Sequence, residues 1–204
     1  MRHNDTCCSR ANWKLAALAF CLIARCRSQR QTDNTMAPES ALPDEYCPEC
    51  GAPIPGRREG CQRVFDETLA RESSDYRYAR ARRLMVDAYS LQHPADYMRS
   101  AKSYAAHLTG MYASFECDGA PEVNRAVQVW LNGTQAIQRP DNPGPRQRGA
   151  LTIAHVYKAG APEDHAERVR EWAQSVWDAW RGYRHVAQNW VEGATGRIRT
   201  VRGL

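Results

Sequence analysis

Cys47, Cys50 and Cys61 are the residues of this chain whose types and spacing imply chemistry. The first two lie in Tyr46-Cys47-Pro48-Glu49-Cys50-Gly51, and the third follows a segment containing Pro53, Pro55, Gly56 and Gly60. A Cys-x-x-Cys turn aims two thiolates at one cation. Pro48 presets φ for such a turn, and Gly51 supplies the open backbone that a knuckle needs past its second sulfur. The segment between Cys50 and Cys61 has loop composition and the length to bring a third sulfur back. Zinc accepts tetrahedral sulfur and nitrogen ligands without a geometric penalty of its own. The spacing predicts a zinc knuckle at 46–61 with Cys47, Cys50 and Cys61 as metal ligands.

A second Cys-x-x-Cys is missing, so the fourth ligand must come from elsewhere. His93 and His107 are the candidates, with Cys117 more remote. Three sulfurs and a water would make an open, catalytic site, whereas a fourth protein ligand would close it. Each histidine also has a plainer reading. His93, before Pro94, could cap a helix end, and His107 lies at the edge of an apolar stripe. Asp87 could orient a histidine or make a structural hydrogen bond. A redox reading of Cys47 and Cys50 lacks the βαβ pattern of thioredoxin-like proteins. No other catalytic signature stands out.

Composition limits the alternatives. The chain has 204 residues, 43% hydrophobic and 25% charged, enough for one ordinary globular core. Its net charge is +5, yet most of the excess sits in residues 1–35, and the remainder is close to neutral. A nucleic-acid footprint needs a stronger basic bias. The apolar run at 13–24 is too short to span a bilayer as a helix. It lacks the cleavage pattern of a signal peptide. The eight cysteines do not form the regular framework of a small secreted domain, and a reducing cytoplasm fits them better. Residues 1–45 are read as a disordered leader, with translation starting at Met36, and residues 193–204 as a basic tail. No partner is indicated, and a homo-oligomer is left open.

The elements that must position the ligands are helical. Val64, Phe65, Thr68 and Leu69 make a stripe over 61–72. Ala81, Leu84, Met85, Ala88 and Leu91 make another over 76–92, with Asp75 as its cap, ended by His93-Pro94. Tyr104, Leu108, Met111 and Phe115 define a third over 100–115. Pro121 opens a fourth through Leu131. Residues 139–149 read as an irregular loop, and 150–159 as a strand or one or two helical turns. Pro162 opens the longest helix, with Val169, Ala173, Val176, Trp180, Tyr183, Ala187 and Trp190 forming a bundle seam and Gly193 stopping it. The expectation is an all-α bundle of about five helices forming one domain over 46–192, with the cysteine segment at its start.

Four blocks carry a resemblance. They are Cys-Pro-Glu-Cys-Gly at 47–51, Val-Asp-Ala-Tyr-Ser-Leu-Gln-His-Pro at 86–94, Ala-His-Leu-Thr-Gly at 106–110 and Val-Arg-Glu-Trp-Ala-Gln-Ser-Val-Trp-Asp-Ala-Trp at 169–180. In this order they resemble a bacterial domain family of unknown function. The resemblance implies one domain over most of 46–192, supports Met36 as the start, and implies no activity. Members tend to have a longer loop before the third cysteine, often with a histidine, where this chain has Arg57-Arg58-Glu59-Gly60. They also tend to carry histidines near 183–184, where this chain has Tyr183 and Arg184. At fold level only, the layout also resembles DinB- and YfiT-type helical bundles with an inward metal. That would make the chain a metal-dependent enzyme in which His93, His107 and Asp87 serve a catalytic ion. A thiol redox sensor is the remaining alternative to a zinc-binding protein with a structural or binding role.

Overall fold

The structure is a computed structural model; it describes residues 46–202, with side chains for 46–196. The expected leader and Met36 start lie outside the described residues. Eight α-helices follow the knuckle: α1 (Arg57–Ser74), α2 (Arg82–Gln92), α3 (Pro94–Tyr97), α4 (Ala101–Glu116), α5 (Pro121–Leu131), α6 (Ile153–Tyr157), α7 (Pro162–Ala179) and α8 (Arg184–Arg202). Among the described residues there is no strand, only an isolated bridge between Tyr46 and Pro53. None of the described helices is long and apolar enough to cross a membrane. The all-α expectation holds, with more helices than the five expected.

Local chemistry accounts for most boundaries. Ser100 and Ser103 form a reciprocal capping box at the start of α4, with bonds of 3.0 and 3.1 Å. Pro121 and Pro162 occupy first-turn positions, where a missing N–H costs nothing, and Glu163 and Asp164 follow Pro162 at the positive end of α7. His93 ends α2 in a non-helical conformation, and Pro94 opens the single turn of α3. Asp75 accepts a bond from the Arg77 N–H, but a 3₁₀ turn at Tyr78–Ala81 intervenes before α2. The ambiguous segment at 150–159 contains the helical turn α6.

The long C-terminal helix is divided. It breaks at Trp180, passes through a 3₁₀ turn at Arg181–Tyr183, and resumes as α8 beyond Gly193 to Arg202. The break redirects the chain. Helix α7 packs on α2 and α6, whereas α8 packs on α4 and α5. Trp172, Trp177 and Trp180 are fully buried in the main core, and a smaller cluster of Ala105, Ala126, Val127, Trp130, Val191 and Ala194 joins α4, α5 and α8. A three-residue turn of 3₁₀ helix preserves the 4-3 spacing of the seam, so the spacing alone does not reveal it.

Candidate metal centre

The knuckle folds on itself. The Gly51 N–H donates to the Cys47 carbonyl at 2.8 Å and the Cys47 N–H to the Ala52 carbonyl at 2.9 Å. Gly51 has φ 78°, a left-handed conformation that side chains resist, which lets the chain reverse directly after Cys50. The third sulfur comes from a helix rather than a loop, because α1 already begins at Arg57. Gly60 makes this possible: a Cβ there would stand 1.9 Å from the Pro55 carbonyl oxygen. Helix and knuckle therefore touch through backbone at the residue before Cys61.

His93 supplies the fourth donor from the end of α2. Cys47 Sγ and Cys61 Sγ each lie 3.6 Å from His93 Nε2, and Cys50 Sγ lies 3.8 Å from Cys61 Sγ. All four donor atoms fall within 4.8 Å of one another and all four residues are buried. His93 Nδ1 is 2.9 Å from the Tyr89 carbonyl oxygen. A carbonyl only accepts, so Nδ1 carries the proton and the Nε2 lone pair faces the sulfurs. The group is chemically able to hold a metal ion.

The thiols share their protons unequally. Hydrogen bonds from Cys50 and then Cys61 hold Cys47 well below the ordinary thiol range. The bond with Cys47 pushes Cys50 well above the ordinary thiol range, and it also raises Cys61, which reaches about 12. A cation among them favours the thiolate at all three, so metal binding releases protons and acid opposes it.

Around the donors the packing is aromatic and polar. Tyr89 lies between His93 and Phe65, with ring centroids 4.0 and 3.8 Å away. Its hydroxyl is 3.7 Å from Cys61 Sγ and accepts from Arg58 at 3.0 Å. Arg148 is buried and donates to Glu49 of the knuckle and to the Gln92 carbonyl. Gln92 in turn accepts from the Trp172 indole at 3.0 Å and donates to the Leu151 carbonyl at 2.8 Å. Sequence reasoning missed Tyr89, Gln92, Arg148 and Glu49 as support. The only available signal was their adjacency to Cys50 and His93 for two of them.

His107 lies outside this group. Its Nδ1 is 2.9 Å from Asp87 Oδ1, across α2 and α4. Among the described residues it belongs to no set of three or more potential ligands, and His93 is committed to the sulfurs. The two histidines are thus used separately. Burial raises the Asp87 carboxyl above its usual range, and the His107 hydrogen bond opposes this. Asp87 Oδ2 occupies the space where a side chain at Gly110 would begin, 2.2 Å from the ideal Cβ. Gly110→Ala should therefore cost about 1–3 kcal/mol in urea unfolding, as overpacking does. Asp87→Ala in that background should restore part of the loss and leave metal content unchanged. Equal stability of wild type and Gly110→Ala would refute this account.

Cys117, the remote candidate, is also outside the group, and burial pushes its thiol up. His155 bonds Glu171 at 2.8 Å and His185 is exposed on α8. His165 pairs with Glu72 at 3.0 Å, both fully buried, an arrangement that no spacing announced.

The sequence profile of a family of unknown function, DUF5946, matches residues 45–181. The chain belongs to DUF5946. The matched span of this DUF5946 chain contains the whole Cys₃His group, and it closes where α7 gives way to the 3₁₀ turn. No curated protein and no solved structure matches the chain.

Proposed function

We propose that this DUF5946 protein is a cytoplasmic zinc-binding protein whose metal is structural, joining the knuckle, α1 and the end of α2, and that the domain acts by binding rather than catalysis. The observation that carries the reading is the size of the donor group. A tetrahedral zinc with bonds of about 2.3 Å to sulfur and about 2.05 Å to nitrogen sets sulfurs about 3.8 Å apart and sulfur and nitrogen about 3.6 Å apart. Three of the six separations here are 3.8, 3.6 and 3.6 Å, and all six lie within 4.8 Å. Four protein donors leave no open position for a water, which favours a structural over a catalytic ion. Reduced, buried cysteines suit a reducing compartment.

Metal analysis of protein purified under reducing conditions should give about one equivalent of zinc, as a closed four-donor site requires. Less than about a tenth of an equivalent, with no uptake on adding zinc, would refute the proposal. Thiol titration separates it from the redox reading. Cys47, Cys50 and Cys61 should react slowly until a chelator is added, and equal reaction with and without chelator would favour a redox sensor.

A further inference from the structure

Among the described residues, two of the surface cavities have walls that differ in one respect. The larger, about 780 Å³, runs beside α1 and α3. Its polar walls bond to one another: Arg58 to Asp96 and Gln62, Tyr97 to Gln62, and Gln62 to Asp66. The smaller, about 400 Å³, lies between the start of α2, the end of α4 and the middle of α7. Arg80, Arg83 and Arg170 line it, and Asp118 is the only carboxylate in its wall.

These arginines are placed with weak partners or none. The Arg170 guanidinium stands over the Phe115 ring, 5.4 Å from its centroid. Arg83 makes a long ion pair with the buried Asp87, 3.7 Å from Nε to Oδ2. Asp87 Oδ2 itself has no hydrogen-bond partner. Among the described residues Arg80 carries no ion pair, whereas Arg58, Arg77, Arg148, Arg168 and Arg184 each hold a carboxylate at 3.0 Å or closer. Three arginines thus line one concavity: among the described residues Arg80 and Arg170 hold no carboxylate, and Arg83 has only the long pair with Asp87. Guanidinium matches the tetrahedral oxyanion bidentately, and a ring or carboxylate behind it reduces the ordering cost of binding.

We propose that this cavity binds the dianionic phosphate group of a small phosphate monoester, held by Arg80, Arg83 and Arg170. The site is separate from the Cys₃His group and does not depend on which metal that group holds. Asp118 opposes the ligand's charge and limits affinity.

Calorimetric titration of the full chain, as purified, with glycerol 3-phosphate and with inorganic phosphate in dilute chloride buffer tests this. Both should bind saturably. Arg80→Gln and Arg170→Gln should each weaken binding about tenfold, the scale of one charge-assisted contact. Arg170→Lys, which keeps the charge but not the fork, should lose less than Arg170→Gln. Asp118→Asn should tighten binding about threefold by removing the one repelling charge. Arg99→Gln, beside the other cavity, should change nothing. All the substituted positions are exposed and outside the core, so the variants should melt within about 2 °C of wild type, as surface substitutions do. Absence of saturable binding overturns the proposal. So does binding that the arginine variants leave unchanged, or binding of inorganic phosphate with glycerol 3-phosphate excluded.

Discussion

Cys61→Ser should abolish the proposed metal binding and lower the melting temperature by roughly 6–16 °C. The estimate joins two scales. A metal bound at 100–1,000 times its dissociation constant stabilises the folded state by about 3–4 kcal/mol. A domain of this size shifts by about 2–4 °C per kcal/mol. Serine presents a poorer ligand that stays protonated, and it leaves Cys47, Cys50 and His93 packed around an incomplete set. The same loss should follow from a chelator on the wild type, and the chelator should then add nothing to the variant. Acid should release the metal from the wild type as protons return to the thiols. Cys117→Ser is the matched control, because Cys117 lies outside the group. A Cys61→Ser protein with full metal content and an unshifted melting temperature would remove the basis of the zinc assignment.

Gly60→Ala should damage both stability and the cysteine group with a single methyl group. The added Cβ would meet the Pro55 carbonyl oxygen at 1.9 Å, its carbon at 2.9 Å and Ile54 Cγ2 at 3.3 Å. Two of these three atoms are backbone and have no rotamer to escape into. Overpacking of this kind costs about 3 kcal/mol, against about 1 kcal/mol that alanine returns through helix propensity. The net loss of about 2 kcal/mol comes with displacement of Cys61, so metal affinity should fall at least about tenfold, one ligand's geometry being disturbed. Gly193→Ala is the counter-case. It lies in α8 with nothing within 4 Å of the new Cβ, and should be neutral or stabilising by up to about 1 kcal/mol. Denaturant midpoints and a competitive zinc titration report both quantities. Equal midpoints for Gly60→Ala and wild type would show that the knuckle can move away from α1.

What could be read before folding, and what could not, divides along local and non-local lines. The Cys-x-x-Cys turn, the helix-opening prolines and the apolar stripes are local, and the structure contains them at or near the expected positions. The choice between His93 and His107 was not local. His93 follows the last residue of α2 and His107 lies within α4, and only the packing of α2 against α1 and α4 places one with sulfur and the other with a carboxylate. The start of α1 was hidden because Pro53, Pro55 and Gly56 give a loop composition up to its first turn. Gly60 reads as a loop glycine by composition, although its role is to let a helix touch a carbonyl. The support from Arg148 joins positions 49, 92 and 148, a span that no pattern rule covers.

The order of the ligands along the chain carries one more implication. All four donors lie between positions 47 and 93, while Trp172, which seals Gln92 beside them, arrives some eighty residues later. During synthesis the complete Cys₃His set leaves the ribosome before α7 exists, since chains emerge from the N-terminus. Ion capture can therefore precede closure of the core. Starvation for the ion during translation would act on a nascent chain whose donors are still open to solvent.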